Sequence, residues 1–365
     1  MKKIILALSV TALALSATFA DVSLEYTQKA NIIGDSGNLK YTGYAKNKGT
    51  LKFLLKNDTS GVQLEVEPTI AKGNEGTKTI EPNHYFGWVN FGEGAFQLQS
   101  GVWETRSVNR MTADAGKWEG SQYERYKYGV MGGSSGKDVN NISTVNGTKS
   151  LASQLKYNAG DFYIEGLLVE SAYDTSSGLN PKSGWAAEAG LNLGEGNKLV
   201  VDFKNSKKDD YAIAAFFENK TFKEDLDFVV GATIGRPASK NIEYGIDARA
   251  RYTLSDNMVL TTMNNLSYLG SSQSPKYSIW DMVSVAVTAS DNLKVLMTVE
   301  WEHPDLLNVG GTPDNAQGKL DFIPSATYTV GKGVDMSAGL IIATTGWSKP
   351  TTATVNVPFI LKVAL

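Results

Sequence analysis

From Ile242 to Leu254 the chain reads I-E-Y-G-I-D-A-R-A-R-Y-T-L, with an apolar side chain at every even position and a charged, small or hydroxyl residue at every odd one. Successive β side chains point to opposite faces, so this alternation predicts a strand with one greasy and one ionic side. On the greasy side Tyr244 and Tyr252 stand near the ends with aliphatics between them. At roughly 3.3 Å per residue and a tilt of about 40°, the interval between these tyrosines spans about 20 Å along a membrane normal, near the height of a lipid-facing band between aromatic girdles. The strand reads as one stave of a barrel in lipid, its charges facing an aqueous lumen. A half-buried strand of a soluble sandwich would alternate too, so the number of such strands decides.

They recur along the chain. Val22, Leu24 and Tyr26 share a face; Leu51, Phe53 and Leu55 alternate with lysines and turn through N-D-T-S-G into Val62, Leu64 and Val66. Tyr85 to Phe91 and Ala95 to Trp103 flank G-E-G; Leu151 to Tyr157 and Phe162 to Glu170 flank N-A-G-D; Trp185 to Leu193 and Leu199 to Lys204 flank G-E-G-N. Tyr211 to Phe217 and Leu226 to Ile234 flank N-K-T-F-K-E-D. The opening strand pairs across S-D-N with Met258 to Leu266, and Ile279 to Ala289 pairs across a second S-D-N with a strand whose apolar face is Leu293, Val295, Met297, Val299 and Trp301. Phe322 to Val330 and Val334 to Ala343 flank G-K-G, and V-N-V-P-F-I-L-K-V-A-L ends the chain. These are hairpins with turn residues where turn chemistry wants them. Between hairpins run longer Ser/Gly/Asn/Pro-rich connections, near 71–82, 104–150, 171–183, 236–240, 269–276, 303–319 and 345–353, with a short polar one at 205–209. Tight turns at one end and long loops at the other is the asymmetry of outer-membrane barrels, and a soluble sandwich has no reason to sort its loops this way. The predicted fold is all-β: an antiparallel transmembrane β-barrel of about 16–18 strands, 18 if residues 31–49 form a loop and 16 as the next even number.

The start of the chain fits that address. Met-Lys-Lys, an apolar run from Ile4 to Leu15 and S-A-T-F-A ending at Ala20 predict a signal peptide over residues 1–20, leaving 21–365 as a single barrel domain with a long loop at 104–150. The apolar run is too short for an anchor helix. The 365-residue sequence has no cysteine, which excludes disulfides, a lipid-modified cysteine and thiolate metal sites. A formal charge of −3 with both signs interspersed argues against a nucleic-acid surface.

The segment W-V-N-F-G-E-G-A-F-Q-L-Q-S-G, Trp88 to Gly101, resembles a hairpin of general bacterial porins, where a glycine–acid turn is followed by alternating apolar residues and a glycine. The last strand resembles the segment read by outer-membrane assembly machinery, with Val357, Phe359, Leu361, Val363 and Leu365 on one face, although Leu365 replaces the customary aromatic and Pro358 removes a ladder donor. A mass of 39.4 kDa and glycine-rich loops resemble the variable surface proteins of spirochaetes. The porin resemblance implies a channel for passive diffusion of small hydrophilic solutes or ions, a homotrimer, and surface-exposed loops on the bacterial outer membrane. It also implies that the insert after the fifth strand folds inward to narrow the pore. Its candidate constriction residues are Arg106, Arg110, Asp114, Lys117, Glu119, Glu124, Arg125 and Lys127, a slightly basic set, and the porin run Pro-Glu-Phe-Gly-Gly is replaced by Y-G-V-M-G-G at Tyr128 to Gly133. The alternative for the insert is a segment projecting outward, and for the whole protein a surface-displayed barrel acting as variable antigen or adhesin.

Two arginines on a strand in lipid must face water, so Arg249 and Arg251 head the pore-lining candidates, followed by Glu243, Asp247, Lys294 and Glu300. Free in the lumen, the arginines would bias a pore toward anions; salt-bridged to Glu243 or Asp247 they would set no selectivity. Tyr244, Tyr252, Trp301 and Phe359 are the candidate lipid-interface aromatics. No enzyme is indicated. The two histidines, His84 and His303, lack a partner set: H-P-D at His303 to Asp305 falls in a predicted external loop but is a poor Asp/His dyad, and no Ser/His/acid set, phosphate loop or zinc pattern exists. N-V-G-G-T-P-D at Asn308 to Asp314 could bind calcium in a loop but lacks the dense oxygen spacing of an EF-hand. No cofactor or metal is expected; the partners are lipid, the assembly machinery and small solutes.

Overall fold

The computed structural model describes residues 20–33, 44–71, 78–102, 144–145, 148–149, 151–170, 184–207, 210–223, 225–236, 241–270, 276–303, 305–308, 318–345 and 352–364. The expected signal peptide, save Ala20, and nearly all of the long insert lie outside these residues. The barrel strands are β1 (Ala20–Ile33), β2 (Tyr44–Lys56), β3 (Ser60–Ala71), β4 (Lys78–Phe91), β5 (Phe96–Val102) and β6 (Leu151–Ala159). They continue with β7 (Phe162–Glu170), β8 (Gly184–Gly194), β9 (Asn197–Lys207), β10 (Asp210–Lys223), β11 (Leu226–Arg236) and β12 (Glu243–Ser255). The wall is completed by β13 (Met258–Leu269), β14 (Lys276–Ser290), β15 (Leu293–His303), β16 (Lys319–Gly331), β17 in two segments (Val334–Gly339 and Ile341–Thr345) and β18 (Thr352–Ala364).

Each strand pairs antiparallel with its chain neighbours, and β1 pairs with β18 from Glu25↔Ala364 to Ile33↔Val357, so 18 strands close into a barrel. Closure leaves no edge to be satisfied in hydrocarbon. The stretch 31–49, taken as a loop in the count of 18, gives its two ends to β1 and β2, whose ladders with β18 and β3 run on to Ile33↔Val357 and Lys46↔Ala71. The interruption of β17 at Leu340 falls opposite Pro324, which has no N–H; the Leu340 amide instead donates to the Pro324 carbonyl at 2.9 Å.

The exterior is apolar. On β12, Tyr244, Ile246 and Tyr252 face outward, Ile246 being 54% exposed, while Glu243 and Arg249 point inward at 1%. Tyr244, Tyr268 and Tyr277 pack together on neighbouring strands at the long-loop end, with centroids 4.9 and 5.0 Å apart along the row and the Tyr244 and Tyr277 hydroxyls at 3.0 Å. At the tight-turn end, Phe91 stacks on Phe96 at 5.3 Å and Phe96 meets Tyr157 at 4.9 Å, while Phe217 lies against Phe228 at 5.9 Å. Two aromatic rows thus bound an aliphatic band, as a bilayer requires.

The tight-turn rim is tied together. Turn carbonyls of Thr59, Ala95, Asp161, Asp225, Asn257, Asn292 and Gly333 accept from the amides of Asn90, Asn158, Asn192, Thr253, Thr288, Thr329 and Ala364, at 2.6 to 2.8 Å. Each bond joins a hairpin turn to the strand end beside it. The two G-E-G turns run through left-handed backbone, with φ of 59° at Glu93 and 49° at Glu195, conformations that flanking glycines make accessible.

Candidate functional site

The inner wall differs from a uniformly wet, charged surface. Its residues are largely screened from solvent, and among the ionic groups lie apolar patches: Val200, Ala212, Ala214, Phe216 and Val229 on β9 to β11, Met263, Trp280 and Met282 on β13 and β14, and Leu296, Ile323, Ile341, Ala343 and Ile360 on β15 to β18. The sequence carries the signal. Leu199-Val200-Val201, Ala212 to Phe217 and Phe359-Ile360-Leu361 are consecutive apolar runs, so both faces of those strands are greasy where strict alternation would give a polar one.

Three lumen-side rings lie flat along the wall over glycines directly across the ladder. A Cβ on Gly190 would fall 2.0 Å from the Tyr163 ring, one on Gly231 2.1 Å from Phe216, and one on Gly61 2.3 Å from Trp88. Glycine on the facing strand lets each ring lie down along the wall.

Charge concentrates on β6 to β10. Lys156, Glu165, Glu188 and Asp202 are direct register partners on four successive strands, and the three carboxylates are 5, 3 and 1% exposed. Gln154 donates to the Glu165 carboxylate at 2.9 Å, and Lys156 Nζ lies 3.4 Å from it. The Tyr163 hydroxyl donates to Glu188. Above the Tyr163 ring stand Lys156 Nζ at 4.2 Å and Lys198 Nζ at 5.1 Å from the centroid, a double cation–π contact. Hydrogen bonds and two ammonium groups offset the repulsion of three aligned carboxylates; the sector remains acid-rich, with Glu218 register-paired to Lys198.

Across the lumen wall the predicted pore residues are placed as follows. Arg249 points inward, buried, and donates to Asp227 on β11 at 2.9 Å; Arg251 is half-buried opposite Asp227 and Thr261. Glu243 is inward and buried. Asp247 holds a ladder position opposite Gly231 and Asn265, and its side chain lies outside the described residues. Glu300 is buried opposite Asp321, whereas Lys294 is exposed beside the tight turn. Arg249, Asp227 and Arg251 form one cluster, and the acid row forms another that sequence reading missed. Its members are separated by hairpins, so only the register brings them into line.

The eight constriction candidates from Arg106 to Lys127 lie outside the described residues. From the same insert, Thr144–Val145 and Thr148–Lys149 pair with each other, and the first comes alongside β9. Among the interface candidates, Tyr244 and Tyr252 are exposed on the exterior, Trp301 is half-buried beside Asp281 and Leu320, and Phe359 sits mid-strand, opposite Ala30 and Ala338. His84 Nδ1 lies 3.3 Å from Glu65, and His303 Nδ1 accepts the Asp305 amide at 3.2 Å. Among the described residues no group of metal-ligating side chains assembles.

A closed antiparallel barrel with an aromatic-bounded apolar exterior and an ionic inner wall has the architecture of an outer-membrane porin, and fold and surface together place it in the bacterial outer membrane. Solved structures similar to it include OccK3 (OpdO) of Pseudomonas aeruginosa, 9% identical with a TM-score of 0.61, covering 95% of each chain. OpdK of the same organism, solved with vanillate, matches at 9% identity and a TM-score of 0.61 over 95% of this chain and 98% of that one. The trimer form of OmpT from Vibrio cholerae matches at 11% identity and 0.51, over 95% and 99%. No family model and no curated protein sequence matches the chain.

Proposed function

We propose that the protein is a porin-like channel that lets small hydrophilic solutes cross the outer membrane passively, without catalysis. The observation that carries this reading is the inward row Lys156, Glu165, Glu188 and Asp202 inside a closed barrel, since ionic groups gathered on the inner face suit a polar pathway through the membrane. OpdK was solved with vanillate, an aromatic carboxylate. The acid-rich sector here suits cationic or neutral polar solutes, and Arg249, engaged with Asp227, is a weak source of anion preference. The short strand Thr144–Val145 beside β9 supports an insert that reaches the wall near this row.

A second reading, a display barrel without conductance, draws on one observation: the inner wall is screened from solvent, with Val200, Met282 and Ile341 at 0% exposure. Planar-bilayer recording on the refolded protein separates the two. Stable conductance steps with a cation-biased reversal potential are expected, and Glu188→Gln with Asp202→Asn should move that potential toward the anion side. An absence of steps would select the display reading, and steps indifferent to the double substitution would remove the acid row from the pathway.

A further inference from the structure

The exterior band has one ionic blemish. Asn264 on β13 and Asp281 on β14 are register partners whose neighbours are outward-facing: Leu266 and Val283 are exposed, while Asn265, Trp280 and Met282 point inward and are buried. The Asn264 side-chain amide donates to the Asp281 carboxylate at 2.5 Å. Both lie four residues from the tyrosine row, Asn264 from Tyr268 and Asp281 from Tyr277. Four residues of tilted strand descend about 10 Å, so the pair sits inside the hydrocarbon band and not at its edge. Among the described residues Asp281 is the one carboxylate on the outward face between the girdles. A charge there is tolerated where something other than lipid covers it.

We propose that a second copy of this chain docks on the outward face of β12 to β15, the two copies meeting at their Asn264–Asp281 pairs across a twofold axis along the membrane normal. The proposal rests on that face lying in the bilayer. Three features select a second copy. First, the pair is self-complementary: each copy offers an amide donor and a carboxylate acceptor, and in an isologous contact the amide of one copy reaches the carboxylate of the other. Second, all copies in a membrane share one orientation, so residues at a given depth meet residues at the same depth, which brings the pair onto its own counterpart. Third, the surroundings on the β12 and β13 side permit close approach. The row through Asn264 and Asp281 runs from Ala248 on one side to the half-buried Trp301 on the other, and the adjoining row holds Ala250 and Thr262, a low area flanked by Ile246, Val283 and Met297 at 54, 47 and 50% exposure.

A ring built head to tail gains no matching contact from the outward Ser100–Ser153 pair. Ser100 and Ser153 hydroxyls meet at 3.3 Å on β5 and β6, and β6 is seven strands from β13, roughly 140° around an 18-strand wall. Contact faces in a ring of three stand about 60° apart. The twofold contact is an alternative to the trimer that the porin resemblance implies, and the size of the cross-linked species tells the two apart.

The absence of native cysteine makes the test direct. Thr262→Cys in the full-length protein in outer membranes, treated with a short thiol–thiol cross-linker, should run largely as a cross-linked dimer, while Ser153→Cys stays monomeric. Adding Asp281→Leu to Thr262→Cys should lower the dimer fraction several-fold. Equal cross-linking at both positions, or none at either in protein still extracted only by detergent, would overturn the pairing while leaving the barrel in its membrane. So would a Thr262→Cys dimer fraction unchanged by Asp281→Leu, the result expected if the carboxylate faces lipid or a lipid headgroup.

Discussion

Gly190 has space for a hydrogen and nothing larger, because the Tyr163 ring lies where its Cβ would be. That ring is fixed at the same end by the hydroxyl bond to Glu188 and along its face by two lysines, so it has little freedom to yield. Gly190→Ala should destabilise the folded barrel by about 1–3 kcal/mol, the ordinary range for an overpacked site, read as a lower midpoint in urea titration of the liposome-folded protein. Gly166, facing open space, is the control and Gly166→Ala should stay within about 0.5 kcal/mol. None of this was legible from the glycines themselves. A strand glycine signals only a weak point or a close approach, and which ring approaches is fixed by a register spanning 27 residues of chain.

At the scale of the strand, alternation told most where one face is unmixed. On β12 every even residue from Tyr244 to Tyr252 lies outward and Arg249 inward, because only one assignment of faces keeps charges out of lipid. The terminal strand follows the same logic, with Asn356 and Ile360 buried and Val355 exposed. Strand β13 resisted it: Thr261-Thr262 and Asn264-Asn265 are doublets, compatible with either face, and only pairing of Leu266 with Ile246 sends Asn264 outward. On β14, Trp280 and Met282 face inward and Asp281 outward, the reverse of what hydropathy alone would choose, because Val283 and Val285 set the parity. Element-level placement also predicts cost. Ile246→Arg puts a guanidinium on the lipid side near mid-band and should lower folding free energy into bilayers by about 2–4 kcal/mol. Leu254→Arg, on the same outward face but beside the tight turn, should cost at most about 1 kcal/mol. A denaturant titration comparing the two reports the depth dependence directly.

On the scale of the whole molecule, strand number and loop sorting followed from counting hairpins, while the charge map of the lumen did not. Arg249 reads as a free pore charge only until its neighbour across the ladder is known; Asp227 lies 22 positions earlier in the chain. The acid row likewise exists only once four strands are aligned. The barrel's two mouths are also unequal. One is a row of hairpin turns, seven of them bonded to the strand beside them, the last at the C-terminal strand where Ala364 donates to Gly333. Deuterium uptake by the folded protein should accordingly be slower at tight-turn amides such as Asn158, Thr253 and Thr288 than at the strand ends of the opposite mouth. Such a rim behaves as a drawn hoop: a hairpin bonded in this way cannot splay without pulling on the strand beside it. Any breathing of the wall is pushed toward the opposite mouth, and on the channel reading proposed above the width open to a solute would be set there, with the tight-turn mouth held at a fixed girth.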